Sequence, residues 1–72
     1  MNSLFIEGIN RNNMNQQKLI IIENYLRCKY KMQISNVIRK GDNETVIAVK
    51  TNLSDTIYNL QEITREINNM IK

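Results

Sequence analysis

The most constraining feature of this chain is its first long apolar segment, KLIIIENYLRCKYKM, which spans residues 18–32. Asn13 followed three residues later by Gln16 is typical of a helix start, so the pattern predicts a helix that runs to about Lys31. With about 100° of rotation per residue, the apolar side chains of this helix occupy an arc of roughly 200°, which is wider than one sheet or one helix usually covers. They are Met14, Leu19, Ile21, Ile22, Tyr25, Leu26, Cys28, Tyr30 and Met32.

Ile20 points away from that arc, into the middle of the polar face beside Asn24. It is either an ordinary exposed isoleucine or a contact with a partner or a second subunit. The chain is too short to cover such a wide arc with its own residues, so another molecule has to shelter part of it. We therefore predict a partner or dimer interface at Ile20, Ile21 and Tyr25.

The size of the chain leads to the same expectation. Its 72 residues make a single domain, 1–72, which buries only about 60% of its unfolded surface and so has a small stability margin. Cys28 is the only cysteine and histidine is absent, so neither a disulfide nor a zinc site stabilises the fold. Self-association is left as the source of extra stability, and we expect a homodimer with no metal and no cofactor.

Two further regions of the chain have the residue pattern of strands. Residues 3–9 (SLFIEGI) predict a strand with Leu4 and Ile6 on one face and Phe5 and Ile9 on the other. The segment QISNVIRKGDNETVIAVK predicts two strands that form a hairpin, with the turn at KGDN. The first of these strands is irregular enough to contain a bulge, and the second has apolar residues on both faces, which suits the centre of a sheet.

The last segment predicts a second helix from about Asn52 to Lys72, capped by Asn52 or by Ser54 together with Asp55. Its apolar stripe is the core face of a helix that lies on the sheet or, alternatively, one half of a helix pair across a dimer. The predicted fold is a small α+β domain, (β)αββα, with a mainly antiparallel sheet of two or three strands and both helices on one face. The stripe consists of Leu53, Ile57, Leu60, Ile63, Thr64, Ile67, Met70 and Ile71.

The positive charge of the chain is local. The net charge is +3, yet residues 27–40 contain five cations and no carboxylate. Cations at the end of a helix complement its dipole in any protein. The alternative is a basic patch that binds nucleic-acid phosphates, with Tyr25 and Tyr30 as stacking surfaces. Glu62 and Glu66 are interpreted as solvated carboxylates of the second helix. The predicted basic patch consists of Arg27, Lys29, Lys31, Arg39 and Lys40.

Residues suited to catalysis are scarce. Without histidine there is no Ser-His or Cys-His pair, and neither Gly8 nor Gly41 lies in a phosphate-binding loop. Cys28 is predicted to be a buried small apolar residue, and its alternative role is a reactive thiol beside Arg27 and Lys29.

We therefore expect a small non-enzymatic protein that regulates or inhibits a protein partner, of the kind common on phages and other mobile elements. A nucleic-acid-binding module is the alternative, and an enzyme ranks third. No apolar run approaches the roughly 20 residues that span a bilayer, and the N-terminal residues lack the pattern of a signal peptide. We expect a cytoplasmic protein without a membrane partner or a small-molecule substrate.

Overall fold

The structure, a computed structural model, describes residues 2–51 and 58–72. In this part of the chain the elements follow the predicted βαββα order, and the α+β class is confirmed. They are β1 (Asn2–Asn10), a 3-10 helix (Arg11–Asn13), α1 (Gln16–Tyr30), β2 (Met32–Lys40), β3 (Glu44–Thr51) and α2 (Leu60–Met70).

The three strands form one sheet in the order β1-β3-β2, and β3 is antiparallel to both of its neighbours. α1 packs over β2, and α2 packs over β1. Side chains from both helices and all three strands share a single buried core, so both helices lie on one face of the sheet, as predicted. The fully buried members of this core are Ile6, Ile9, Ile22, Leu26, Met32, Ile47, Val49, Ile63, Ile67 and Ile71.

The N-terminal strand contains a bulge that changes the face of one residue. β1 pairs with β3 in register through Ile6 and again from Ile9, and in between two residues of β1 face a single residue of β3. Gly8 takes the positive φ of 83° that this bulge requires. The prediction that Ile9 shares a face with Phe5 is therefore wrong, because the extra residue returns Ile9 to the core.

β2 and β3 form the predicted hairpin. The turn lies where it was predicted, and Gly41 within it has a φ of 66°. The predicted bulge in β2 is confirmed as a shift of register between Ile34 and Asn36. Arg11 fastens the 3-10 helix to the turn, because its Nη1 donates to the carbonyl of Gly41 and its backbone N–H donates to the carbonyl of Asn43, both at 3.0 Å.

Both helices begin later than predicted. The N-cap of α1 is Asn15 rather than Asn13, and its side-chain oxygen accepts a hydrogen bond from the backbone N–H of Lys18 at 2.8 Å. Asn59 caps α2 by accepting from the backbone N–H of Glu62 at 3.1 Å. Because Asn59 has an extended backbone, α2 does not continue unbroken from its predicted start. The predicted caps Asn52, Ser54 and Asp55 and the stripe residues Leu53 and Ile57 lie outside the described residues.

The second helix also closes part of the outer edge of β1. The Thr64 hydroxyl donates to the carbonyl of Glu7 at 2.9 Å. The Asn68 side chain donates to the carbonyl of Gly8 at 3.0 Å and accepts from the backbone N–H of Asn10 at 2.9 Å. Side chains of α2 therefore satisfy these backbone groups, and this stretch of the edge is not open to another strand.

Candidate interaction surfaces

The three consecutive isoleucines of α1 point in different directions. Ile22 is fully buried, whereas Ile20 and Ile21 are 57% and 45% exposed. Successive residues of a helix differ by about 100° in direction, so one contact does not cover all three. We call the exposed side that carries Ile20 and Ile21 the outer surface of α1. Cys28 is also exposed, so the prediction that it is buried is wrong; it follows Ile22 by six residues and points roughly 120° away from it around the helix axis.

A second apolar surface lies on the sheet face that carries no helix, which we call the open face. Phe5 of β1 is 53% exposed there, and Ile38 of β2 is 40% exposed. Val46 and Ala48 of β3 lie between them, because Phe5 pairs with Ala48 and Ile38 pairs with Val46. The four side chains are contiguous, but Val46 and Ala48 are each only 8% exposed, so most of the accessible apolar surface belongs to Phe5 and Ile38. A groove of about 400 Å³ is lined by Phe5, Ile38 and Val46 together with the charged residues Glu7, Arg39 and Lys40.

Charged residues lie at both ends of the open face. At the hairpin end Lys40 reaches across β3, with its Nζ 2.7 Å from Glu7 Oε1 and 3.8 Å from Glu44 Oε2. The hydrogen bond to Glu7 raises the pKa of Lys40 above its ordinary value, so this ammonium is charged at neutral pH. At the opposite end, Lys50 is exposed and has no ion pair with any described residue. Arg39 also lines the groove at the hairpin end, so two cations and the two carboxylates of Glu7 and Glu44 balance there, whereas the Lys50 end is positive.

Tyr25, the third residue of the predicted interface, belongs to a cluster that joins the two helices. Its hydroxyl donates to Glu66, which also accepts from the Tyr30 hydroxyl at 3.1 Å and from Lys29 Nζ at 3.0 Å. The hydrogen bond from Tyr25, followed by that from Lys29, holds the pKa of Glu66 below its ordinary value. Burial, followed by the hydrogen bond to Glu66, raises the pKa of Tyr25. Glu66 is therefore a link between α1 and α2, and its interpretation as a solvated carboxylate is wrong.

The aromatic rings of this cluster pack on one another. Tyr30 meets Tyr25 and Tyr58 edge to face, at centroid distances of 5.7 and 5.9 Å. Lys29 Nζ lies 5.6 Å from the ring centre of Tyr25 and 5.5 Å from that of Tyr30. The two rings that were predicted as stacking surfaces for bases are thus occupied by contacts within the protein.

The five cations of the predicted basic patch are not brought together. Arg27, Lys29 and Lys31 lie where α1 ends and β2 begins, whereas Arg39 and Lys40 lie at the far end of β2. At about 3.3 Å per residue, the length of β2 separates the two groups by roughly 26 Å. Arg27, Lys29 and Lys40 are also paired with glutamates, at 3.3, 3.0 and 2.7 Å. These five cations therefore form no single patch, and three of them are already paired with carboxylates and are less available to bind phosphates.

Within residues 2–51 and 58–72, no three histidine, cysteine, aspartate or glutamate side chains meet as metal ligands. Neither α1 nor α2 has the length and apolar content that crossing a membrane requires. Comparison of the chain with known protein families, with curated proteins and with solved structures finds no match. Function is therefore inferred from the surfaces themselves.

The open face was missed by sequence reasoning, although its signals were present. Val46 and Ala48 alternate with Ile47 and Val49, so apolar residues occupy both faces of β3. With both helices on one side of the sheet, one of these two pairs has to face away from the core. Phe5 points to the same side of the sheet as Val46 and Ala48, because it is directly opposite Ala48 in the pairing of β1 with β3. The alternation and the one-sided helices together place Val46 and Ala48 on the face away from the helices, where flanking side chains leave each of them only 8% exposed.

Proposed function

We propose that this chain is a non-enzymatic protein-interaction module that acts as a homodimer and regulates or inhibits a protein partner. The observation that supports this is the exposure of large apolar side chains on both sides of the fold. Phe5, Ile20, Ile21 and Ile38 are each about half in water, where apolar surface is unfavourable, and a protein contact removes that penalty.

The two surfaces are suited to two different contacts. The outer surface of α1 lies on the helical side of the sheet, and the open face lies on the other side. One surface can therefore hold a second copy of the chain while the other remains accessible to a partner. A small regulator of the phage or plasmid kind needs both contacts: one adds stability to a short chain, and the other provides the biological effect.

Nucleic acid is the less favoured partner. A phosphate-binding surface requires several unpaired cations within a short distance. The five cations of the predicted basic patch fall into two groups, and three of them, Arg27, Lys29 and Lys40, have carboxylate partners. The tyrosine rings that would stack on bases contact each other instead.

Sedimentation velocity of the full chain over a concentration series tests the homodimer. We expect a species of twice 8.5 kDa at concentrations above about 100 μM and reversible dissociation on dilution. A species of 8.5 kDa throughout the series contradicts the proposal.

A gel-shift experiment at roughly 50 mM salt distinguishes the proposal from the nucleic-acid alternative. We expect no retardation of single-stranded or double-stranded DNA or RNA. Retardation that disappears as the salt concentration rises, and that is weaker in Lys31→Ala, would favour nucleic acid as the partner.

A further inference from the structure

The two exposed apolar surfaces differ in how well each complements a second copy of this chain. The outer surface of α1 offers Ile20 and Ile21, followed two turns later by Arg27. The only carboxylate of α1, Glu23, already pairs with Arg27 at 3.3 Å. A second copy that docks there therefore meets the same cations with one carboxylate of α1, whereas on the open face two carboxylates, Glu7 and Glu44, share the ammonium of Lys40. The open face, in contrast, carries charge of both signs.

We infer that the homodimer forms through the open face: two copies pack sheet against sheet, with their strands antiparallel across the interface, so that Lys50 of each copy lies against Glu44 of the other. This inference rests on the proposed function, because it names the surface through which the proposed dimer is made. It leaves Ile20 and Ile21 on the outside of both copies, where a partner can reach them.

The apolar patch provides the attraction in this arrangement. Phe5, Ala48, Val46 and Ile38 lie on adjacent strands, and Phe5 and Ile38 provide most of the accessible surface because Val46 and Ala48 are each only 8% exposed. Sheets that pack face to face lie about 10 Å apart, and their inner side chains interdigitate. The groove of about 400 Å³ beside Val46 gives each copy a place to accept the Phe5 ring of the other. The contact is isologous, as a twofold dimer requires.

The charges at the two ends of the patch select the direction of the strands. Lys50 and Glu44 are both on the open face and are separated along β3 by six residues, or about 20 Å. If the strands of the two copies ran parallel, Lys50 would meet Lys50 and the carboxylates of Glu7 and Glu44 would meet each other. In the antiparallel arrangement, Lys50 of each copy instead faces the carboxylate of Glu44, which within its own chain is only 3.8 Å from Lys40 Nζ. A twofold axis perpendicular to the strands produces this arrangement twice in the same interface.

The size of the open face indicates a reversible dimer. Three strands about 4.8 Å apart, over about 20 Å of their length, present roughly 300 Å² in projection. Interfaces of standard size bury about 800 Å² of accessible surface on each partner. The open face is well below this size, so we expect a weak dimer that dissociates on dilution.

Two double variants compare the surfaces directly. Phe5→Ser with Ile38→Ser removes the exposed apolar side chains of the open face, and the matched control, Ile20→Ser with Ile21→Ser, removes similar side chains from α1. Sedimentation equilibrium of the full-length chains is expected to show at least about a hundredfold weaker dimerisation for the first variant. The control is expected to remain within about threefold of the wild type. Circular dichroism confirms that each variant is folded.

Charge reversal tests the direction of packing. Lys50→Glu and Glu44→Lys each place like charges against each other in the antiparallel dimer, so each weakens dimerisation by roughly tenfold. The double variant in one chain restores opposite charges and returns the dissociation constant to within about threefold of the wild type. In parallel packing, position 50 faces position 50 and position 44 faces position 44, so like charges meet in the wild type and in every variant. Single variants that leave the dissociation constant unchanged, or a double variant that does not recover from their loss, overturn the inference.

The failure of the inference is distinguishable from that of the proposed function. If dimerisation is lost in the Ile20→Ser, Ile21→Ser variant and kept in the Phe5→Ser, Ile38→Ser variant, the chain is a homodimer but the open face is not its interface. If the wild type is monomeric throughout, both the proposed homodimer and this interface are wrong. The serine comparison does not involve Glu44, so it holds even if Glu44→Lys does not fold.

Discussion

Replacement of Asn68 by alanine tests whether α2 holds the outer edge of β1. The Asn68 side chain donates to the carbonyl of Gly8 at 3.0 Å and accepts from the backbone N–H of Asn10 at 2.9 Å. Alanine removes both hydrogen bonds and adds no volume, so the two backbone groups are left to water. A weakened edge also exposes β1 to pairing with a foreign strand.

The expected magnitude follows from these two contacts. Each hydrogen bond contributes about 1 kcal/mol to the free energy of unfolding, so the loss of both costs about 2 kcal/mol. Alanine has a better helix propensity than asparagine by about 0.6 kcal/mol. Asn68→Ala is therefore expected to lower the free energy of unfolding by about 1.4 kcal/mol.

Asn69→Ala is the matched control. Asn69 is adjacent in α2 and exposed, and its side chain makes no hydrogen bond to the described residues. The substitution gives the same gain in helix propensity, so this variant should raise the free energy of unfolding by up to about 0.6 kcal/mol. The difference between the two variants, about 2 kcal/mol, isolates the hydrogen bonds of Asn68.

Urea unfolding followed by circular dichroism measures both variants, and amide hydrogen exchange gives the local effect. The backbone N–H of Asn10 should lose protection in Asn68→Ala and keep it in Asn69→Ala. If the two variants differ by less than about 0.5 kcal/mol and the protection of Asn10 is unchanged, Asn68 does not hold the edge of β1 and the reasoning is refuted.

Three further perturbations address the bulge, the tyrosine cluster and the exposed thiol. Gly8→Ala lowers the free energy of unfolding by about 1–2 kcal/mol because of its positive φ. Urea unfolding should show a larger loss for it than for Gly41→Ala, since the φ of 66° at Gly41 lies in the left-handed region that other residues can enter, whereas the φ of 83° at Gly8 lies beyond it. Because the folded-state pKa of Glu66 is below its ordinary value of 4.5, this carboxylate adds stability above that value and loses it as the pH falls through the folded pKa. The difference in Tm between the wild type and Glu66→Gln should therefore be largest at neutral pH and shrink on acidification; a difference independent of pH would exclude this role. Cys28 should react with a thiol reagent in the native protein nearly as fast as in urea, and a rate about a hundredfold slower would show that it is buried.

The hairpin shows which parts of the fold were accessible to sequence reasoning. Gly41 takes the positive φ of the turn, and β-prone residues flank it on both sides. These constraints act within a few residues, so they can be recognised in a single sequence. The buried positions of α2 follow the same rule, because Ile63 and Ile67 have helical spacing and are both buried.

The candidate site was less predictable because it depends on residues that are distant in sequence. Ile20 is exposed, as the helical spacing predicts. Tyr25, however, is bound by Glu66, which is 41 positions away, and Lys40 is bound by Glu7, which is 33 positions away. Periodicity carries no information about such pairs, and the predicted basic patch divides into two groups as a result.

The sequence by itself determined the order of the elements, the α+β class and the apolar side chains that one copy leaves exposed on α1. Only the tertiary structure decided where the second exposed surface lies, because sheet pairing places Phe5 and Ile38 opposite both helices. One extra residue at Gly8 likewise moves Ile9 into the core. A repeat of two or of 3.6 residues tells which side chains share a face, whereas the packing of whole elements determines which face is covered.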